Sequence, residues 1–143
     1  MLNLWRYRAA LICLSLLLLH GSAQAEPAPS PKVVFVIVDG IPADVIERVP
    51  TPAIDAIAAG GGYSRATVGG PVGTSGETPT ISAPGYMSLV TGTWANKHNV
   101  YDNYGISPDY DYWNLFRLAR DQKPELRLGI FSTWTDNRTV LLG

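Results

Sequence analysis

The chain has 143 residues, 46% of them hydrophobic and 16% charged, with a formal net charge of −1 and one cysteine. A charge this close to zero leaves no electrostatic footprint for nucleic acid, and the apolar content excludes an intrinsically disordered chain. A single cysteine excludes both an internal disulfide and a thiolate-rich metal site, and the length allows one domain at most.

Residues 1–25 read as a secretory signal. Arg6 and Arg8 give a positive start, Ala9 to Leu19 is an uninterrupted apolar run, and the segment closes on Ala23-Gln24-Ala25, a small-x-small cleavage pattern. The apolar run is about half the roughly 20 residues needed to span a bilayer, which favours a cleaved leader over an anchor. Leu11-Ile12 before Cys13 is not the small pair of a lipoprotein site. Cleavage leaves 118 residues with nine basic against twelve acidic side chains, a net charge of −3, no cysteine and one histidine, His98. This predicts an exported protein, periplasmic or secreted, with no membrane attachment after cleavage. Residues 26–31, Glu-Pro-Ala-Pro-Ser-Pro, form a short Pro-rich tether, and 32–143 is the folded part.

Lys32 to Val38 is a β-branched and aromatic run without polar alternation, the pattern of a strand covered on both faces. It stops at Asp39-Gly40. Pro52 to Ala59 predicts a short helix with Thr51 as N-cap, Pro52 in first position and Gly60-Gly61-Gly62 as its stop. Tyr63 to Val68 predicts a second strand, and Gly69 to Thr80 a loop. A helix begins close to Ser82 and runs to Gly92. Trp94 to Pro108 is irregular. Asp111 to Gln122 predicts an amphipathic helix with Leu115, Phe116, Leu118 and Ala119 inward, and Leu126 to Trp134 another buried strand. This order favours a layered α/β sheet.

Two places look chemical. Asp39 stands at the end of the opening strand, where ligands bind in open parallel sheets, and its carboxylate can hold a cation. The bland reading is a strand-end turn, for Asp-Gly is a common turn dipeptide. Ser82 stands where a Pro-punctuated loop enters a helix, facing unpaired amides and the positive end of the dipole, which suits an anionic group. The bland reading is an N-cap serine. No triad pattern or glycine-flanked elbow surrounds Ser82, so a metal ion is the natural means of activating it as a nucleophile. His98 reads either as a ligand or as a structural loop histidine. Asp102-Asn103 reads as a holder of a substrate oxygen or as turn residues. The aromatics Tyr101, Tyr104, Tyr110, Tyr112 and Trp113 line a pocket or cover a core edge.

Taken together, Val33–Gly40, Thr51–Ala58, Thr78–Gly92 and Lys97–Asn103 resemble the alkaline phosphatase superfamily, most of all its type I phosphodiesterase and nucleotide pyrophosphatase branch. The resemblance runs from Lys32 to Asn103 and thins beyond it. It implies an α/β fold, a three-layer alkaline-phosphatase-like core with a mostly parallel sheet that is incomplete in this chain, residues 32–143 being the N-terminal part of such a catalytic domain in a truncated form. It implies a phosphoric ester hydrolase acting on a small-molecule phosphate ester through a phosphoseryl intermediate, with two zinc ions or another divalent metal. Asp39 takes the place of the first metal-ligating aspartate. Ser82 takes that of the nucleophile, which also ligates metal. Ala83-Pro84-Gly85-Tyr86 stands where the branch has Phe-Pro-Asn-His, so the phosphate-binding asparagine is missing, and Asn103 is the residue that could replace it.

Two alternatives stand beside this reading. Ser82-Ala83-Pro84-Gly85-Tyr86 matches the sulfatase pattern Cys/Ser-x-Pro-x-Arg in all but the arginine. A non-catalytic, truncated exported α/β protein is the other. The family takes its remaining ligands from an Asp-His pair and other residues after the nucleophile. Here Asp136 is the only acid after Glu125, so the chain alone is expected to be inactive.

Overall fold

A computed structural model describes residues 31–143. The signal segment and the tether up to Ser30 lie outside the described residues. The chain divides into two compact units after Val36, and the second, Ile37–Gly143, carries all the helices and the core described below.

Six helices occur among the described residues: α1 Ala43–Arg48, α2 Pro52–Gly60, α3 Ser82–Thr91, α4 Ala95–His98, α5 Leu115–Gln122 and α6 Asp136–Thr139. Helix α2 starts as its sequence signals, with Thr51 as N-cap and Pro52 first. Thr51 does not cap the helix amides. Its hydroxyl donates to Asp55 Oδ1 at 2.9 Å instead, while Asp55 Oδ2 accepts the Thr51 amide at 3.2 Å. Helix α5 begins four residues later than Asp111, because Asn114 is the cap. Its Oδ1 accepts the amides of Phe116 and Arg117 at 3.0 and 2.9 Å. Helices α1, α4 and α6 were not legible as helices; each spans six residues or fewer, too short to show a period.

The core is the inner face of α3. Ala83, Met87 and Val90 follow the helical repeat and are buried with Val100 and Leu141. Tyr86, Ile106, Leu115, Trp134 and Leu142 pack around them. Burying a side chain the size of Met87 contributes about 1.5–3 kcal/mol, so this small cluster is the main cohesive element of the unit. The helix ends at Gly92, whose φ of 66° is the left-handed conformation that glycine adopts without steric cost.

Helix α4 docks on α3 through a buried polar pair. The Val100 amide donates to His98 Nδ1 at 3.2 Å, which places the ring proton on Nε2, 3.0 Å from Ser88 Oγ. Ser88 Oγ in turn donates to Pro84 O at 2.8 Å. Of the two readings of His98, this is the structural one.

The loop 69–80 is folded on itself. The Gly70 amide donates to Gly76 O at 2.8 Å, and a Cβ at Gly70 would lie 2.9 Å from that backbone, so only glycine permits the approach. Buried Thr78 then ties the loop to α4 by accepting the Ala95 amide at 3.0 Å.

The expected strands at 32–38, 63–68 and 126–134 carry no ladder, and no sheet is present among the described residues. The physical reason is visible in their exposure. Val33 is 92% and Phe131 98% exposed, so apolar runs patterned for burial on both faces stand without the neighbours that would pair and cover them. No helix among the described residues is long and apolar enough to cross a membrane.

Candidate active site at the start of α3

Asp39 lies in the turn that closes the apolar run. Its Oδ1 accepts the Gly40 amide at 2.8 Å, and Gly40 has a φ of 76°. The turn therefore uses one carboxylate oxygen and leaves the other. That second oxygen, Oδ2, accepts the Ser82 hydroxyl at 2.7 Å and the Tyr86 phenol at 2.8 Å. The turn bond and the bonds to α3 thus fall on different oxygens of one side chain.

Ser82 is the first residue of α3, with Ile81 as the extended N-cap. Its side chain does not cap the helix, which corrects the N-cap reading. The cap comes from outside: Asn103 Oδ1 accepts the Ala83 amide at 2.9 Å. Asn103 is itself held by its backbone N–H, which donates to Asp102 Oδ1 at 2.6 Å. Its Nδ2 has no hydrogen bond among the described residues and is available as a donor beside the first turn.

The structure thus brings Asp39, Ser82 and Asn103 together at one helix start. Tyr86 belongs there as well, and sequence reasoning missed it. The available signal was its spacing, since position i+4 from Ser82 lies on the same helix face. His98 is not in this group. Of the five aromatics, Tyr110, Tyr112 and Trp113 line a cleft of about 560 Å³ with Met87, Arg117 and Leu141, and the Arg117 guanidinium stacks 4.4 Å from the Trp113 ring centre. Tyr101 and Tyr104 are exposed. The described lining of the cleft includes none of Asp39, Ser82 or Asn103.

The electrostatics follow from the hydrogen bonds. The Ser82 and Tyr86 hydroxyls hold the Asp39 carboxyl below the usual carboxylate range. Burial, and then the bond to Asp39, push the Tyr86 phenol up. Asp39 is therefore an anion and a weak base. It orients the Ser82 hydroxyl and is too weak a base to deprotonate it. Asp39 and Ser82 present two oxygen atoms that could face one side of a cation. No cluster of three or more His, Cys, Asp or Glu occurs among the described residues, so the rest of a coordination sphere is not assembled by them.

A serine hydroxyl hydrogen-bonded to a carboxylate therefore stands at the first residue of α3, with a phenol on the same carboxylate oxygen. The family model "Type I phosphodiesterase / nucleotide pyrophosphatase" matches residues 33–141, and the chain belongs to that family. The match reaches well past Asn103, where the sequence resemblance had thinned. The family is one of phosphodiesterase- and pyrophosphatase-type hydrolases with an alkaline-phosphatase-like α/β fold and phosphate-ester substrates. Comparison with curated proteins gives no match, and comparison with solved structures gives none.

Proposed function

We propose that the protein is a metal-dependent phosphoric ester hydrolase of the phosphodiesterase type, and that this chain holds the nucleophile-bearing part of its active site. The observation that carries the reading is the Ser82 hydroxyl on Asp39 Oδ2. Ser82 Oγ attacks phosphorus, the ester oxygen leaves, and water then hydrolyses the phosphoseryl enzyme. Asp39 orients Ser82 and would share the cation with it, and the free Nδ2 of Asn103 donates to a non-bridging phosphate oxygen. Asp39 and Ser82 would hold one side of the zinc that the resemblance implies as a pair, and that metal would supply a lowered pKa at the Ser82 hydroxyl and an offset for charge on the phosphoryl oxygens. The leader-like N-terminus supports a location outside the cytoplasm, periplasmic or secreted.

The described donors do not close a metal sphere, and the apolar runs at 33–38 and 126–131 are uncovered. Both features fit a chain that works only together with further protein. The test is release of nitrophenol from bis(4-nitrophenyl) phosphate and 4-nitrophenyl phosphate with zinc added. The 143-residue chain is expected to give no turnover. A protein uniting this chain with the missing ligands is expected to give turnover that Ser82→Ala abolishes. Turnover independent of Ser82 would remove it as the nucleophile, and Ser82-dependent turnover by the chain alone would show a complete site.

A further inference from the structure

Tyr86 has no part in the chemistry described so far, yet it bonds to the same oxygen as the nucleophile. Its phenol donates to Asp39 Oδ2 at 2.8 Å, beside Ser82 at 2.7 Å. The ring is fixed on its other side. It sits on α3 at the edge of the core and meets the Trp134 ring edge-on, with centres 6.3 Å apart and planes at 62°. Asp39, by contrast, is exposed, and the main chain holds only its Oδ1. Oδ2 has two hydroxyl donors, and one of them is the reacting atom.

We infer that Tyr86 is a positioning residue that holds the Asp39 carboxylate in place while the Ser82 oxygen is engaged elsewhere. When Ser82 Oγ turns to phosphorus, its bond to Asp39 is given up. Tyr86 is then the side-chain donor left on Oδ2, and it keeps the carboxylate from swinging into solvent. The phenol is suited to this because it leaves the ring anchored in apolar surroundings and presents one fixed O–H. A histidine, which the family motif has at this place, is a shorter ring with a different donor direction, so the Asp39–Tyr86 pair is this chain's own solution. The inference rests on the reading of Asp39 and Ser82 as ligand and nucleophile.

The test is NMR of the 143-residue chain, wild type against Tyr86→Phe and Asp39→Asn. Phenylalanine keeps the Trp134 contact and removes only the hydroxyl. Three-bond couplings from Asp39 Cγ to the backbone report its side-chain rotamer, titration with zinc chloride reports cation affinity at Asp39, and the amide shifts of 87–90 report the helix. The expected result for Tyr86→Phe is rotamer averaging at Asp39 and zinc affinity weakened about two- to tenfold, the range of one net hydrogen bond, with the helix shifts unchanged. A single Asp39 rotamer in the variant, or averaging with unchanged zinc affinity, overturns the positioning role while Asp39→Asn still abolishes zinc shifts. If wild type shows no zinc-dependent shifts, or Asp39→Asn leaves them intact, the metal reading of the site fails and the positioning role fails with it.

Discussion

Ser82 Oγ lies 2.7 Å from Asp39 Oδ2, although 43 positions separate the two residues. The bond joins the turn after the apolar run to the first residue of α3. Its electrostatic trace is the depressed pKa of Asp39, to which Ser82 is the leading contributor. Ser82→Ala is expected to raise the Asp39 pKa, and Tyr86→Phe to raise it less. Carboxyl carbon shifts followed against pH measure both. A carboxyl depressed in the folded state contributes stability above its unfolded value and loses it as pH falls through the folded value. Asp39 is exposed, so the effect on global stability is small.

Asn103 separates capping from chemistry. Asn103→Ala removes the acceptor of the Ala83 amide and is expected to cost about 1 kcal/mol, read from the urea midpoint. Asn103→Asp keeps an acceptor at the helix start and is expected to retain stability. It loses the Nδ2 donor, so activity of a complete enzyme should fall in both variants. Equal activity in wild type and Asn103→Asp would overturn the proposed phosphate contact of Asn103.

The buried His98 predicts acid lability. Desolvation holds its pKa below the ordinary value of 6.5. The unfolded chain therefore binds the proton first. Stability is level above pH 6.5 and falls as pH drops below it, until the folded imidazole is also charged. Urea midpoints between pH 7.5 and 5 should show the slope, and His98→Gln should reduce it.

Much of this was legible in the sequence for local reasons. A proline in first position, glycine stops and an apolar repeat marked α2 and α3. Asp39 and Ser82 stood out because a carboxylate after an apolar run and a serine at a helix entry are local signals. Their meeting is long-range, and no local signal announces it. Tyr86 escaped because a tyrosine on the inner side of a helix reads as core, and only the position of Asp39 shows that its hydroxyl has a partner. The expected strands form no ladder among the described residues for a different reason. Apolar patterning reports what a segment needs, namely cover on both faces, and Phe131 shows that the described chain does not provide it.

That exposure has its own consequence. Ile37, Val38, Ile130 and Phe131 all lie at the surface. The chain is expected to bind a hydrophobic dye such as ANS and to self-associate at high concentration. Phe131→Lys should reduce both with little change in the urea midpoint, because the ring is 98% exposed. Reduced stability in that variant would show that Phe131 is packed in solution.

The folded loop at 69–80 gives the last prediction. Gly70→Ala forces a Cβ against the Gly76 backbone, and the loop must open. Thr78 would then lose its hold on the Ala95 amide. The expected cost is about 1–3 kcal/mol, with faster hydrogen exchange at Ala95 as the specific readout.

The outside cap on α3 bears on how such a site can change. Where one residue both starts a helix and reacts, exchanging the reactive group also perturbs the helix. Here Asn103 looks after the Ala83 amide, and position 82 is relieved of that duty. Serine, threonine or cysteine can be tried there as alternative attacking atoms on an unaltered scaffold. The start of α3 is thus held from one residue, while the proposed nucleophile stands at another.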